Sequence, residues 1–599
     1  MKPTELTFPK LNHFWLDSGL LGLAVTLKAV NSSVEKNLSD KGLTLIGTES
    51  KIQEALEKAY DLLVRIYYDT STKKQIDNTS SYNFYYDSKG DNFVTFPKKK
   101  SVGIAALIYN KQALPSEKQV MWEVDKNDTK KKLIGKIPIS QKDQEWKWNK
   151  AGSLPDDIEQ FVKRIHGYAK KMGIKIGPPS GLLVDGQNKV RPQVEIRLKS
   201  TKNKGHCYFC GEGSHYLEDA GQTIFPFITG SSGLLNFNTK CSKPEKVCWK
   251  CAFIGKFVPV NGFYLMQGEN LFAFFPYSVS FEKMLDIYTT LQDAKYEDPN
   301  LIKNFQHPLG FEKYAEGYFQ KTFEVTFAFL YTLYRKVLLH QKADEEVGVL
   351  NWEEMCNLAI SKAPLEFVVL HAESKGQTSM GKMVWPFRDS VYFFRLIKEL
   401  EENQINIKEV MRLLIDFSQR NQENKTILRN RFCERILKKK TVLDIVEERA
   451  WDIVFPQDQK NSKPQNPSSL IDFFLKYESI IKEGKMTDEE RNVAVTLGKT
   501  IGLCVSKKDN ETRLKNEIER DLKRLRGDLI KLKKVRKLTD FLSEIERLEV
   551  RYDFSLRIPD GLLEGKLRDD NFREFKGYCT IAAMQAYSNA RYYALKEGN

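Results

Sequence analysis

The sequence predicts an α+β multidomain protein: a mixed N-terminal region carrying a four-cysteine module, a largely helical middle and a C-terminal α-helical bundle. Three observations predict it. A chain of 599 residues exceeds one hydrophobic core, which stops growing at about 250–300 residues. Strand-like and helix-like hydrophobic periods mix early, whereas the later chain repeats its apolar residues every three or four positions. A C-x2-C pair occurs twice, at Cys207 and Cys210 and again at Cys248 and Cys251.

Taken in order, residues 1–205 form the expected α+β domain. The apolar run Gly19 to Thr26 is flanked too closely by Asp17 and Lys28 for a leader or a membrane span, and reads as a core helix. A helix is predicted from Glu49 to Ile66, and another from Ser153 to Met172 with Ser153 as cap and Pro155 in its first turn. Between them, NFVTFP from Asn92 and VGIAALIY from Val102 read as strands joined by a basic loop, Lys98, Lys99 and Lys100. Residues 206–256 form the cysteine module with an inserted loop. In 257–456, two short strands, GFYLMQ and NLFAFF, precede helical stretches from Gly310 to His340, Asp389 to Glu402, Ile407 to Gln419 and Lys425 to Val454, with one interrupting strand from Leu365. Residues 457–469 have the Pro, Asn, Gln and Ser content of a linker, and 470–599 read as a separate helical bundle with a late break at Pro559 and Gly561.

Hydrophobic residues make up 41% and charged residues 29% of the chain, values of a soluble globular protein rather than a disordered or membrane one. With no secretory pattern and an odd number of cysteines, nine, the expectation is a cytoplasmic protein with reduced or metal-bound thiols rather than a disulfide framework. A formal charge of +15 favours polyanionic partners, and its distribution decides which.

Two residues between cysteines let both thiolates of a tight turn face one ion, and two such turns complete the tetrahedral S4 cage that zinc prefers. The expected cofactor is therefore a structural zinc on Cys207, Cys210, Cys248 and Cys251, with Cys241, His206 and His215 as alternative ligands. A filled cage leaves no open position for an activated water. The 37-residue insert between the pairs also lacks the second histidine of an HNH nuclease core, offering His215 followed by Asn236 and Asn238.

Other catalytic patterns fail. GQTSMGKM, Gly376 to Met383, approaches a P-loop, but Met383 stands where a magnesium-ligating hydroxyl belongs and Pro386 falls in the first turn of the required helix. It reads as a Gly-rich loop. The seven histidines form no HExxH motif, HD pair or triad. No enzyme activity is expected.

In the tail, Leu514, Ile518, Leu522, Leu525, Leu529, Leu532, Val535, Leu538, Leu542, Ile545 and Leu548 form a bundle seam, with Gly527-Asp528 as a potential break. Off the seam lie Lys523, Arg524, Arg526, Lys531, Lys533, Lys534, Arg536 and Lys537, with Asp528 the one acid among them. Solvated helix faces usually alternate signs, so this block is a candidate phosphate-backbone contact without sequence specificity.

With these residues in view, the chain resembles the CXXC-CXXC family of CRISPR-associated large subunits of type I-B Cascade surveillance complexes. The resemblance rests on FWLDSGLLGL from Phe14, on CYFCG followed by a Phe/Pro-containing insert, NFN and CWKC, and on a helical tail beyond a linker. It implies a non-enzymatic subunit that works with guide RNA, target double-stranded DNA and the Cascade backbone subunits. It further implies help in reading the protospacer-adjacent motif, opening the duplex and stabilising the R-loop, recruitment of a separate helicase-nuclease, and a tail similar to the small subunit. Within that reading Asn236, Asn238 and Lys240 are the candidate motif contacts and Lys98 to Lys100 the next in line. Met486, after purine-rich codons for Lys482 to Lys485, is a candidate internal start for the tail. The alternative from another class is a zinc-containing nuclease or nucleic-acid-modifying enzyme.

Overall fold

The computed structural model describes residues 4–30, 32–63, 82–87, 91–97, 135–136, 158–173, 181–184, 202–219, 246–267, 270–285, 288, 319, 321–343, 366–375, 378–417, 419–456, 466–505, 515–552 and 558–596. The protein has mixed α and β structure with small sheets and a helical C-terminal region. It divides into two compact units, Met1–Gly310 with Arg335–Arg388, and Phe311–Tyr334 with Asp389–Asn599.

In the first unit, β1 (Thr4–Pro9), β2 (Glu35–Ser39) and β3 (Gly42–Gly47) form an antiparallel sheet in the order β1-β3-β2. Alternation turns Leu6, Phe8, Leu43 and Leu45 inward. They meet α1 (Phe14–Ala29), the expected core helix, which is buried nearly all round from Trp15 to Leu27. Its one buried acid, Asp17, accepts from the Leu11 amide at 2.9 Å and the Tyr277 hydroxyl at 3.3 Å and faces the buried Lys10 ammonium at 3.5 Å.

The helix expected from Glu49 runs as α2 (Glu49–Leu63). The Asn92 strand is β5 (Asn92–Pro97), paired with β4 (Tyr82–Asp87) in a four-stranded sheet with β6 (Gly135–Lys136) and β7 (Gly181–Val184). The helix expected from Ser153 is described as α3 (Ile158–Lys171). The strand expected from Val102 lies outside the described residues.

Two short antiparallel pairs follow, β8 (Gly205–His206) with β9 (Gly213–Ser214) and β10 (Leu217–Asp219) with β11 (Lys246–Cys248), and lead into α4 (Trp249–Gly255). Helix α1 approaches α4 and the following 3-10 turn, Val258–Val260, through Gly19 and Gly22. A Cβ on Gly19 would stand 2.3 Å from the Ile254 carbonyl oxygen, and one on Gly22 would stand 2.3 Å from that of Phe257. Backbone meets backbone at both points, so neither position can yield by turning a side chain. Gly22→Ala is expected to cost about 1–3 kcal/mol, read from a chemical denaturation midpoint, through overpacking.

The middle region departs from expectation at one strand. The three expected strands are present as β12 (Phe263–Gln267), β13 (Asn270–Tyr277) and β14 (Glu366–Lys375), and an unexpected β15 (Thr378–Phe387) joins them in an antiparallel sheet in sequence order. The stretch read as a Gly-rich loop is the β14–β15 hairpin: Lys375 pairs with Thr378, and Lys382 reaches Glu373 at 2.5 Å. Pro386 is exposed within β15, which among the described residues pairs with β14 alone and so forms the edge of the sheet, where a missing amide is tolerated. No phosphate-carrying helix follows directly.

The second unit is helical. α5 (Thr322–Ala343) begins in it, followed by α6 (Ser390–Glu402), α7 (Ile407–Leu413), α8 (Gln422–Lys425), α9 (Ile427–Leu437) and α10 (Leu443–Val454). The fully buried pair Arg429 and Glu324, at 2.7 Å, ties α9 to the start of α5. The stretch expected as one helix from Lys425 to Val454 is broken after α9, where Lys439 takes a positive φ of 54°. Glu478 accepts from the Val442 amide at 2.8 Å, and Glu483 accepts from that of Thr441.

Beyond 457–465 come α11 (Ser468–Ile481), α12 (Asp488–Leu503), α13 (Lys515–Lys534), α14 (Leu538–Arg551), α15 (Asp560–Leu563) and α16 (Phe572–Lys596). The linker-like composition does not separate two packing units. Phe473 of α11 packs its ring against that of Phe432 of α9, Lys476 pairs with Glu399 of α6, and Phe455 meets Tyr587 of α16. Buried residues on both sides of 457–465 share one core, so the boundary expected there is absent from the packing. Met486 is buried just before the capping box of Thr487 and Glu490, and a product starting there would lack the core residues Leu470, Phe473, Phe474 and Tyr477.

Burial raises the Glu478 carboxyl from its ordinary 4.5 to about 7, against the hydrogen bonds from Val442 and Thr441 that favour its charged form. Tyr392, Tyr578, Arg491 and Glu483 surround it. Between about pH 4.5 and 7 the folded state keeps a proton that the unfolded chain releases, so stability falls as pH rises through this window and levels above it. Glu478→Gln is expected to remove up to about 3 kcal/mol of that slope, measured by denaturation of both proteins across the window.

Candidate functional site

The four predicted cysteines come together. The Sγ atoms of Cys207, Cys210, Cys248 and Cys251 all lie within 4.8 Å of one another, the one such cluster among the described residues. The first pair sits in the turn between β8 and β9. There the Gly211 amide donates to the Cys207 carbonyl at 3.0 Å, with Gly211 at φ 70°, and the Cys207 amide donates to the Glu212 carbonyl at 2.9 Å. That tight turn points both thiols the same way.

The second pair opens α4, with Cys248 as its N-cap and Cys251 in its first turn. Unpaired amides at a helix start favour thiolates. The Tyr208 amide bonds the Lys246 carbonyl at 3.0 Å, and the Cys248 amide donates to Cys207 Sγ at 3.3 Å, so the two halves are joined around the cluster.

The set fits a tetrahedral thiophilic ion. Zinc–sulfur bonds of about 2.3 Å in a tetrahedron separate the sulfurs by about 3.8 Å, the separation seen between Cys210 and Cys248, 3.8 Å. Charge points the same way. Hydrogen bonds from Cys210, Cys248 and Cys251 drive the Cys207 thiol below its usual range, while Cys248 and Cys251, donating to it, are pushed above theirs. Four thiolates at this spacing require a cation. Cys251, Cys207 and Cys248 are buried in the same core as Phe8, Trp15 and Phe253. His206 is exposed with its Nδ1 at 3.1 Å from the Gly211 carbonyl oxygen, and neither it nor His215 joins the cluster. Cys241 lies outside the described residues, as do Asn236, Asn238, Lys240, Lys98, Lys99 and Lys100.

The cationic block lies on α13 and just beyond it. Lys523, Arg524, Lys531, Lys534, Arg536 and Lys537 are exposed. Arg524 makes a long contact of 3.7 Å to Asp521, whereas among the described residues Lys523, Lys531, Lys534 and Arg536 enter no ion pair. Arg526 and Lys533 turn aside to α10, Arg526 over the Phe455 ring at 5.3 Å and Lys533 over Trp451 at 4.3 Å. Burial lowers the Lys533 ammonium although Glu447, Asp452 and Glu448 oppose that shift. These two cations are held by the fold.

Helix α13 runs through Gly527-Asp528 unbroken, and the break falls at 535–537. Asp528 explains the continuity. It is 1% exposed and takes Arg547 at 2.7 Å, Arg551 at 2.8 Å and the Tyr552 hydroxyl at 2.8 Å, all from the end of α14 and the residue after it. The one acid in the block is thereby turned inward and neutralised. The displaced break also resets the seam: Phe541, Ile545 and Leu548 are buried, and Leu542 is 38% exposed. Asp528 stands three residues after Leu525 and four before Leu532, a seam-edge position legible in the periodicity. Trp451 and Phe455 as cation platforms carried no sequence signal.

No family model matches the chain, and no curated protein matches it at a significant level. Among the described residues no helix is long and apolar enough to cross a membrane.

Proposed function

We propose that this chain is a non-enzymatic nucleic-acid-binding subunit, stapled by structural zinc, that acts as the large subunit of a type I-B CRISPR Cascade complex. The observation that carries the nucleic-acid reading is the exposed face of α13, where Lys523, Lys531 and Lys534 enter no ion pair among the described residues while the block's single acid is buried. A helix gains nothing from such crowding of like charge unless an external polyanion relieves it. The cysteine cluster uses every sulfur as a ligand, which suits zinc in a scaffolding role and leaves no position for activated water. The assignment to Cascade rests on the family resemblance of the zinc module and the FWLDSGLLGL segment. With it come guide RNA, target duplex, backbone subunits and a recruited helicase-nuclease as partners. Base pairing reads sequence in such complexes, and protein reads a short duplex motif and backbone shape.

The test is reconstitution of the full chain with guide RNA and backbone subunits, followed by target binding and incubation with magnesium or manganese. Salt-sensitive binding of target duplex without cleavage is expected. Cleavage by the chain alone, abolished by one point mutation, would replace this reading with a zinc-containing nuclease.

A further inference from the structure

The exposed ridge of α13 consists of Arg520, Lys523, Arg524, Lys531, Lys534 and, at its middle, Gly527. At about 100° per residue, the five cations fall within about 60° of Gly527 on either side. Gly527 itself is exposed, lies inside the helix, and a Cβ built on it would meet nothing within 4 Å. Neither packing nor a turn requires glycine here. An interior glycine nevertheless weakens a helix relative to alanine. The helix tolerates it because Asp528, one residue on, is clamped by Arg547, Arg551 and Tyr552.

We propose that Gly527 is the floor of a phosphodiester-binding notch, in which a nucleic-acid backbone crosses α13 at the one position with no side chain and is held by Lys523, Lys531 and Lys534. The missing side chain lets a phosphate reach the helix surface, where the ammonium groups of Lys523 and Lys531, one turn to either side, and of Lys534, two turns on, converge on it. Arg520 and Arg524 flank the crossing. The notch rests on the nucleic-acid reading of this helix and adds the place and closeness of contact.

Gly527→Ala, Gly527→Leu and Lys531→Glu/Lys534→Glu would be made in the full chain. Binding of labelled single-stranded DNA, single-stranded RNA and duplex DNA of one sequence would be measured, with thermal melting of each protein. Gly527→Ala is expected to raise the melting temperature by about 1–3 °C and to weaken binding about fivefold. Gly527→Leu should weaken it further, and the nucleic acid most affected identifies the strand that uses the notch. If both glycine variants bind like the unaltered protein while Lys531→Glu/Lys534→Glu loses affinity, the notch is overturned and the cationic face stands. If the charge reversal also binds normally, both fall.

Discussion

Cys251→Ser should leave the first unit unfolded, with little soluble protein and no bound zinc. Cys251 is fully buried and shares one core with Phe8, Trp15, Phe253 and Phe257. Structural zinc sites contribute about 10–16 kcal/mol of apparent binding energy near neutral pH, comparable with the whole stability of a domain at about 5–15 kcal/mol. A serine hydroxyl cannot replace the thiolate, and three sulfurs would then crowd one another without their cation. The measurements are zinc per chain by mass spectrometry, expected near one, and melting with and without a chelator. Because ligands must be deprotonated, zinc should also be lost as pH falls. A protein that carries no metal and melts unchanged in chelator would remove the zinc assignment.

Lys523→Glu/Lys531→Glu/Lys534→Glu should lower nucleic-acid affinity about 100- to 1,000-fold near 0.1 M salt and reduce the slope of log affinity against log salt by about 3. All three side chains are exposed and unpaired among the described residues, so the helix should fold as before. Arg526 does not belong in that set. Its guanidinium lies over Phe455, and reversing it would disturb the α10–α13 contact as well as the ligand. An unchanged salt slope in the triple variant would place the polyanion site elsewhere.

How much of this was legible in the sequence follows from which interactions are local. The cysteine cluster was readable because each pair is set locally, the first by a tight turn and the second by the opening turn of α4, and the chemistry demands two pairs. The buried α1 was readable because its apolar run is continuous. The second strand of the β14–β15 hairpin was misread because Gly376, Gly381 and Lys382 imitate a local motif, whereas strand status there is decided by pairing with β14. The break in the tail was misplaced for a similar reason. Gly527 signals a break locally, but Asp528 is held by residues 19 to 24 positions away. The linker was a true compositional signal, yet composition says nothing about packing between Phe473 and Phe432.

The interleaving of the two units bears on the order in which the chain can fold during synthesis. Residues 311–334 of the helical unit leave the ribosome before 335–388, which supply β14 and β15 to the other unit. Until β14 arrives, β13, buried from Leu271 to Pro276, has one unsatisfied edge. An apolar strand with a free edge is a template for association with other chains. Fragments ending near residue 310 keep that edge permanently, and fragments beginning at 389 lose Glu324, leaving the buried Arg429 without its counter-ion. Neither half is therefore a self-sufficient translation product, and the interval 311–388 is the part of the gene that commits both.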